Sequence, residues 1–374
     1  MRIYTKQMAE TSRYLTINGV GVKCPVFLAS MAGITDAEYV KERAEFCGGA
    51  FLGGFSIDDD TIAASKEMEL CGRKEFSATL SDIKAELDSL RGLNLVLGVN
   101  LRGTSAESYL KAAEVLGKNI IYEIDAHCRQ KPMTDTGAGE ALLSDPDKLC
   151  GIVSALHKAG YTVSVKFRTG IVNECELVHA LWKAGADILH VDLMDFGCQM
   201  VRKIRNSSPL ILIANNGVTS DEVMMDYFSH GADVVSLARG ASPALLKYLS
   251  EYIEASAEEV GWYNAPKQLC RGGDLRALTF CCMPMKSCAL IPTLSAIGLG
   301  HEEYMALKNE AVAGTPLAQG ESTCFGSLAY CCKSSSPCMF RDMTLMGIGL
   351  EKAEYMKLKR ELSKRIIKHI FEGE

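Results

Sequence analysis

The stretch TVSVKFRTG (residues 162–170) joins an apolar, β-type run to a polar, glycine-containing end. Seven similar runs lie in the first two thirds of the chain, at residues 25–31, 50–57, 95–101, 120–126, 188–193, 210–214 and 234–238. Segments with helical periodicity separate them, among them residues 38–47, 79–91, 106–116, 146–159, 174–184, 221–229 and 244–255. Because strands that are apolar on both faces and separated by helices form parallel sheets, eight such units predict an α/β protein with a (β/α)8 TIM barrel. A doubly wound open sheet is the alternative, although no GxGxxG motif follows the first strand.

Composition sets the class of protein. The chain has 374 residues, of which 48% are hydrophobic and 23% charged, which is the balance of a folded globular protein. No apolar run is long enough to cross a membrane and the N-terminus lacks the apolar core of a signal peptide, so we expect a cytoplasmic protein with no membrane partner. Acidic residues outnumber basic ones up to residue 262, whereas residues 263–374 are mildly basic. The chain length and this difference in charge balance predict a barrel at residues 1–262 and a smaller domain at residues 263–374.

The predicted strands end in polar or glycine-rich residues. In a parallel barrel such residues gather at one face, where the functional groups lie. The turns after the seventh and eighth strands, Asn216-Gly217 and Arg239-Gly240, can offer backbone amides to a phosphate. The sequence therefore predicts a phosphorylated cofactor at this face.

Four motifs at these strand ends resemble those of the flavin-dependent tRNA-dihydrouridine synthase family, over about residues 20–262. They are Met31-Ala32-Gly33-Ile34-Thr35-Asp36 after the first strand, Cys128 with GAGEALL (residues 137–143), VKFRTG (residues 165–170), and Asn216-Gly217 with Arg239-Gly240-Ala241. The resemblance implies an oxidoreductase acting on a carbon–carbon double bond, with FMN as the cofactor. It also implies that Lys166 faces the isoalloxazine ring and that Cys128 protonates one pyrimidine carbon while the flavin delivers hydride to its neighbour.

The same resemblance implies two further groups of site residues. Asp125 and Arg168 would face the substrate. The cofactor would contact Ser30, Met31, Ala32, Asn100, Lys166, Asp192, Asn216, Gly217, Arg239 and Gly240. The chemistry is consistent with these roles, because a thiol with a pKa of about 8.5 still carries its proton at neutral pH. A lysine beside a reduced flavin stabilises negative charge on the ring.

Departures from the family pattern concentrate on the substrate side. The family has asparagine where this chain has Asp125, proline where it has Arg129, glutamine where it has Asn100 and proline where it has Ser30. The family's His-Gly-Arg run at the end of the sixth strand corresponds to Asp192-Leu193-Met194. These changes put uracil recognition in doubt. A more acidic pocket suits a substrate that donates hydrogen bonds.

Three polar positions have a plainer interpretation. We expect His127 to be a packing residue beside Cys128 and Asp58-Asp59-Asp60 to form a solvated turn. For Asp192, a solvated carboxylate at the strand end is the alternative to a site role.

Eight of the 15 cysteines lie between residues 270 and 338, in an internal repeat. Each copy has a CC-x5-C motif followed by Gly-Leu and by a segment with Glu-Tyr-Met, and each has one upstream cysteine. The thiols are Cys270, Cys281, Cys282 and Cys288 in one copy and Cys324, Cys331, Cys332 and Cys338 in the other. The pattern predicts a small, mainly helical domain with two four-thiolate metal sites. Iron–sulfur clusters of the [4Fe-4S] type are favoured over zinc, because neither copy has a C-x2-C knuckle.

This repeat resembles the methanogenesis marker 9 domain of methane-producing archaea. The resemblance implies a role in methanogenesis, with an unknown redox partner or a protein partner in that process. In tRNA-modifying relatives a helical tRNA-binding domain follows the barrel, so its replacement here weakens the case for tRNA as partner. A modified base, a small coenzyme or a protein undergoing maturation are the alternatives. The competing hypothesis is an inactive barrel that serves as a metal-bearing assembly or maturation factor.

Overall fold

A computed structural model describes residues 16–18, 20–208, 210–260 and 300–314, together with Glu351, Glu354 and Lys368. The chain divides into two compact units, one of residues 18–250 and one that joins residues 1–17 to residues 251–374. The predicted domain boundary at residue 262 and the eight cysteines of the repeat lie outside the described residues. No helix among the described ranges is long and apolar enough to cross a membrane.

Eight parallel strands close into a barrel in chain order. They are β1 (Val26–Leu28), β2 (Gly49–Ser56), β3 (Val96–Arg102), β4 (Ile121–Ala126), β5 (Thr162–Arg168), β6 (Ile188–Asp192), β7 (Ile211–Asn215) and β8 (Val234–Leu237). The ring closes where Val235 of β8 pairs with Val26 of β1. All eight strands coincide with the predicted apolar runs to within a few residues, so the predicted (β/α)8 barrel is confirmed. A short two-stranded sheet, Thr16–Ile17 with Val20–Gly21, precedes the barrel.

Helices alternate with the strands. They are α1 (Ala37–Lys41), α2 (Asp59–Leu70), α3 (Leu80–Ser89), α4 (Ala106–Leu116), α5 (Lys131–Asp135), α6 (Pro146–Lys158), α7 (Glu174–Ala184), α8 (Gly197–Ser207), α9 (Asp221–Ser229) and α10 (Pro243–Val260), with a 3-10 helix at Gly139–Ser144 before α6. A further helix, α11 (His301–Val312), belongs to the second unit. Most of the barrel helices begin at a capping side chain, as Asp145 does for α6. These local signals explain why most helix positions follow from the sequence.

The acidic run Asp58-Asp59-Asp60 is not a solvated turn, and that prediction was wrong. Asp58 caps α2 by accepting the backbone amide of Thr61 at 3.1 Å, and its other oxygen accepts the amide of Thr104 at 2.7 Å. Burial raises the pKa of Asp58, but the hydrogen bonds from Thr61 and Thr104 outweigh it, so the pKa lies below its ordinary value. Carboxylates are favoured at the positive end of the helix dipole, so the same residues that suggest a turn also start a helix.

Candidate active site

A cavity of about 570 Å³ opens at the carboxyl ends of the strands. All the barrel residues predicted to act in catalysis or to contact the cofactor or the substrate line it: Ser30, Met31, Ala32, Asn100, Asp125, Cys128, Lys166, Arg168, Asp192, Asn216, Gly217, Arg239 and Gly240. The volume falls within the range of cofactor and small-molecule sites. The topology therefore brings residues from most of the strands to one site, as expected for this fold.

Lys166 is fixed at the inner side of the cavity. It extends from β5, and its Nζ donates to the backbone oxygen of Ser30 at 3.0 Å and to the Ser30 hydroxyl at 2.9 Å. The side chain is nearly buried, so its position is set by the protein and not by solvent. A fixed ammonium group at this place can stabilise negative charge on a bound ring.

A buried carboxylate lies directly beside this lysine. The Glu123 cluster comprises Glu123 and the four groups that hydrogen bond to it, from Ser30 (3.3 Å), Asn100 (2.9 Å), Ser164 (3.1 Å) and His190 (2.6 Å). Burial raises the pKa of Glu123, but the hydrogen bonds and the charge of Lys166 outweigh it, and the pKa is lowered. Burial also lowers the pKa of His190, which favours the neutral ring. Because the Glu123 carboxylate can only accept, the proton is assigned to Nδ1, and Nε2 faces the Ser236 hydroxyl at 2.7 Å. The cluster orients Asn100 and Ser30, which line the cavity. Sequence reasoning missed Glu123 and His190, because both lie inside apolar strands.

Cys128 is held by its neighbours on both sides in the chain. The backbone amides of His127 and Cys128 both donate to Asp125 Oδ1, each at 2.9 Å. Gly139 has a φ of +59°, and a Cβ there would come within 2.4 Å of the Cys128 carbonyl oxygen. Only glycine therefore allows the segment 137–143 to pack against the cysteine. Burial raises the pKa of the Cys128 thiol, Asp125 raises it further and Arg102 lowers it, with a net increase.

Arg102 and Glu75 form a buried ion pair next to this thiol. Arg102 Nη2 donates to Glu75 Oε2 at 2.5 Å and to the Gly54 carbonyl oxygen at 2.7 Å, and both side chains are 1% exposed. Glu75 belongs to the segment after α2, whose Phe76 packs on Phe55 with ring centroids 4.8 Å apart. Neither residue was predicted from the sequence to form an ion pair. Because the pair joins β3 to a loop, no local periodicity could have revealed it.

His127 and Asp192 are paired at the opening of the cavity. His127 Nε2 lies 2.8 Å from Asp192 Oδ2, and the backbone amide of Met194 donates to Asp192 Oδ1 at 3.1 Å. His127 was predicted to be a packing residue, which is wrong, since it is 32% exposed and lines the cavity. Burial raises the pKa of Asp192, but hydrogen bonds from His127 and Met194 outweigh it, so the pKa is lowered. The carboxylate is thus partnered and 15% exposed, and not a solvated strand end.

The two turns predicted to bind phosphate border the same cavity. Asn216 and Gly217 both have positive φ, at +88° and +74°, and the Asn216 carbonyl oxygen accepts the hydroxyl of Tyr227 at 3.0 Å. Gly240 is exposed, and a Cβ there would meet nothing within 4 Å. A turn with positive φ and an exposed glycine both leave backbone amides uncovered, so a phosphate group can approach them closely.

The family model for dihydrouridine synthase (Dus) matches residues 77–271, just over half of the chain. The chain belongs to the dihydrouridine synthase family. The resemblance expected from the motifs is thereby confirmed, whereas the likeness of the cysteine repeat to the methanogenesis marker 9 domain stays a prediction.

Three relatives illustrate where this Dus-family chain stands. An uncharacterized protein of Methanocaldococcus jannaschii is 46% identical over 110 residues, which are 29% of this chain and 71% of that protein. A second uncharacterized protein of that organism is 27% identical over 241 residues, 60% of this chain and 92% of its own length. A probable tRNA-dihydrouridine synthase of Rhodobacter capsulatus is 24% identical over 249 residues, 62% of this chain and 71% of that protein.

Solved structures share the barrel fold. DHODH from Eimeria tenella in complex with ferulenol superimposes with a TM-score of 0.54 at 14% identity, over 70% of this chain and 89% of that one. Ligand-free DHODH from the same organism gives a TM-score of 0.51 at 15% identity, over 70% and 92%. At this level of identity the likeness concerns the fold alone.

Arg168 also forms an ion pair within this Dus-family site. Its Nη2 donates to Glu140 Oε2, and both residues lie in motifs that the sequence singled out. The Arg168 Nε is buried with no hydrogen-bond partner. The guanidinium is therefore oriented by Glu140 and retains one unused donor.

The eight cysteines predicted to bind metal lie outside the described residues. Among the described cysteines, Cys198 is grouped with Asp226 and His230, and the three potential ligand atoms lie within 4.8 Å of one another. His230 Nδ1 is also 2.9 Å from the backbone oxygen of Asp226, one helical turn earlier. That contact is an ordinary helix-end interaction, so the group has an explanation that needs no metal.

Proposed function

We propose that this chain is an FMN-dependent oxidoreductase of the dihydrouridine synthase type that acts on a carbon–carbon double bond in a nitrogen heterocycle. The main support is the cavity itself, where a partly buried thiol, Cys128, and a fixed ammonium group, Lys166, lie with two glycine-containing turns suited to phosphate. Membership of the Dus family supports the reaction class.

The residues present fit FMN in both charge and space. Lys166 would face the flavin ring, and the turns at Gly217 and Gly240 would take the phosphate. A Cβ at Gly240 would meet nothing within 4 Å, and a Cβ at Gly217 would meet only the Tyr227 hydroxyl, at 3.3 Å. Ser30 and Asn100 would contact the ring, since the Glu123 cluster holds both in place. Bound FMN, in its reduced form, would supply a hydride, which carries the two electrons, to one carbon of the double bond.

Cys128 supplies the proton for the neighbouring carbon. Its raised pKa keeps the thiol protonated at neutral pH, and the adjacent Arg102 guanidinium stabilises the thiolate that remains after the proton has left. In the opposite direction the same thiolate accepts the proton. The Arg102–Glu75 ion pair holds the guanidinium in place during this exchange.

Flavin content tests the proposal directly. Chain purified under anaerobic conditions should show flavin absorption bands and release about one FMN per chain on denaturation. The variant Cys128→Ala should retain this FMN but lose turnover of any substrate that is found. Absence of FMN from the purified chain contradicts the proposed function, and full turnover by Cys128→Ala removes the cysteine from the mechanism.

For the region after the barrel, we propose that the repeated cysteines bind iron–sulfur clusters that exchange electrons with the flavin, in a reaction connected with methanogenesis. The support is the duplicated pattern of four thiols in a chain with an M. jannaschii relative. Iron and zinc analysis of the anaerobic protein distinguishes the two metals. Cys282→Ser should lower the iron content, whereas the matched control Cys71→Ser, at an exposed thiol of the barrel, should not.

A further inference from the structure

Three polar atoms converge on Gly54, on the side of the cavity next to Cys128. A Cβ at Gly54 would lie 2.7 Å from Asn100 Oδ1, 3.3 Å from Arg102 Nε and 3.3 Å from Asp125 Oδ2. All four residues line the cavity. They lie near the carboxyl ends of β2, β3 and β4, and Cys128 lies two residues after β4.

The hydrogen-bonding character of each atom is fixed by its other contacts. Asn100 uses its amide nitrogen to donate to Glu123, so its oxygen must be the atom near Gly54. Asp125 uses Oδ1 to accept two backbone amides, which leaves Oδ2 available as an acceptor. Arg102 Nε is a donor that is buried and has no hydrogen-bond partner. These residues form one edge of the cavity, and this edge offers two acceptors and one unused donor.

We propose that this edge recognises a heterocycle with an exocyclic amino group beside an unprotonated ring nitrogen, as in a 4-aminopyrimidine, in preference to the imide edge of a uracil. The proposal rests on the proposed function and specifies its substrate class. The amino group donates to Asp125 Oδ2 and Asn100 Oδ1, and the ring nitrogen accepts from Arg102 Nε. Donor and acceptor are then matched at every position.

In the orientation that matches the aminopyrimidine, a uracil edge is mismatched at the same positions. Its carbonyl oxygen would face the Asp125 carboxylate, and its N–H would face the Arg102 Nε–H. An asparagine, which the family resemblance implies at position 125, offers a donor as well as an acceptor, so Asp125 removes the donor that a carbonyl needs. A site built to pair with an N–H discriminates strongly against an analogue that lacks it.

Two bases that differ only at this edge test the proposal. Equilibrium dialysis of the purified full-length chain against 1-methylcytosine and 1-methyluracil should show that the first binds at least about tenfold more tightly. Asp125→Asn should remove most of that preference, whereas the control Asp60→Asn, at an exposed residue of α2, should keep it. Flavin content is measured on the same samples.

Each outcome separates the two proposals. Equal affinities, tighter binding of 1-methyluracil, or no binding of either base at about 10 mM would overturn the amino-edge preference, even in flavin-loaded protein. An unchanged preference in folded Asp125→Asn would overturn the role of that carboxylate. A preference for 1-methylcytosine in a chain that contains no FMN supports the edge and contradicts the proposed oxidoreductase.

Discussion

The imidazole of His127 is hydrogen bonded to the carboxylate of Asp192, with Nε2 and Oδ2 2.8 Å apart. The family resemblance implies an imidazole at the end of the sixth strand, where this chain has Asp192 instead. An imidazole is nevertheless present in the cavity, supplied by the residue that follows β4. The cavity therefore contains an imidazole hydrogen bonded to a carboxylate, and this imidazole comes from a different strand end than the one that the resemblance implies.

The Cys128 thiol should become more reactive when its acidic neighbour is neutralised. Asp125 raises the pKa of the thiol, second only to burial, so Asp125→Asn should lower that pKa and increase the thiolate fraction at pH 8. The rate of alkylation by iodoacetamide, followed on the Cys128 peptide by mass spectrometry, should rise about threefold or more. At high pH the thiol is fully ionised in both proteins. Equal alkylation rates there would show that the substitution changes the pKa of Cys128 and not the access of iodoacetamide to it. An unchanged rate at pH 8 would contradict the electrostatic role of Asp125.

A negative charge at Gly240 should weaken FMN binding without disturbing the fold. The backbone there is not left-handed and a Cβ meets open space, so side chains are tolerated. Gly240→Asp would place a carboxylate near the flavin phosphate and should raise the dissociation constant about tenfold or more, whereas the isosteric Gly240→Asn should change it little. Fluorescence titration of flavin-free protein with FMN measures both. Equal affinities for the two variants would show that the phosphate binds elsewhere.

Local patterns predicted the barrel well because each strand is a short apolar run bounded by polar or turn-forming residues. The strand that runs from Thr162 to Arg168 fills the apolar part of the stretch 162–170 from which it was predicted. α2 was missed because its first residues are acidic, and aspartates favour turns as well as helix N-termini. α8 was also missed, since it begins at a glycine and has no capping side chain.

The candidate site was predicted in part for a similar reason. Residues at strand ends could be located, because the topology of a parallel barrel assigns them to one face. Glu75 and Glu123 could not, since their roles depend on partners 27 and 67 residues away, Arg102 and His190. A single sequence carries no signal for such pairings. His127 was misjudged because its partner, Asp192, lies two strands further on.

Removing the charge of Lys166 should lower the reduction potential of bound FMN. The ammonium group is fixed by Ser30 beside the cavity and favours the reduced, negatively charged ring. Lys166→Met should shift the two-electron potential to more negative values by tens of mV, where about 30 mV corresponds to about 1.4 kcal/mol. Lys131→Met, at an exposed lysine of α5, is the control. If the reduction potential of bound FMN in Lys166→Met differs from wild type no more than it does in Lys131→Met, Lys166 does not face the flavin.

The Glu123 cluster should contribute more to stability than any surface carboxylate. In Glu123→Gln the new amide hydrogens would face groups that already donate, and Lys166 would lose a buried counter-charge. The free energy of unfolding at pH 7 should fall by roughly 3–5 kcal/mol, measured by urea denaturation with circular dichroism. The exposed Glu107→Gln on α4 should leave it unchanged.

The difference in free energy of unfolding between wild type and Glu123→Gln should depend on pH in a way that the sign of the pKa shift at Glu123 determines. The net effect in the folded chain is a pKa of about 2, against an ordinary value of 4.5, because hydrogen bonding to His190 and the charge of Lys166 outweigh the effect of burial. A carboxylate with a lowered pKa stabilises the fold fully above its unfolded pKa and loses that contribution as the pH falls toward the folded value. The gap in stability between wild type and Glu123→Gln should therefore be constant from about pH 7 to about pH 5 and narrow below it. A gap that widens as the pH falls from about 7 to about 5 would mean that the folded-state pKa of Glu123 is raised, so that the native carboxyl takes up a proton in this range and the buried charge beside Lys166 is lost.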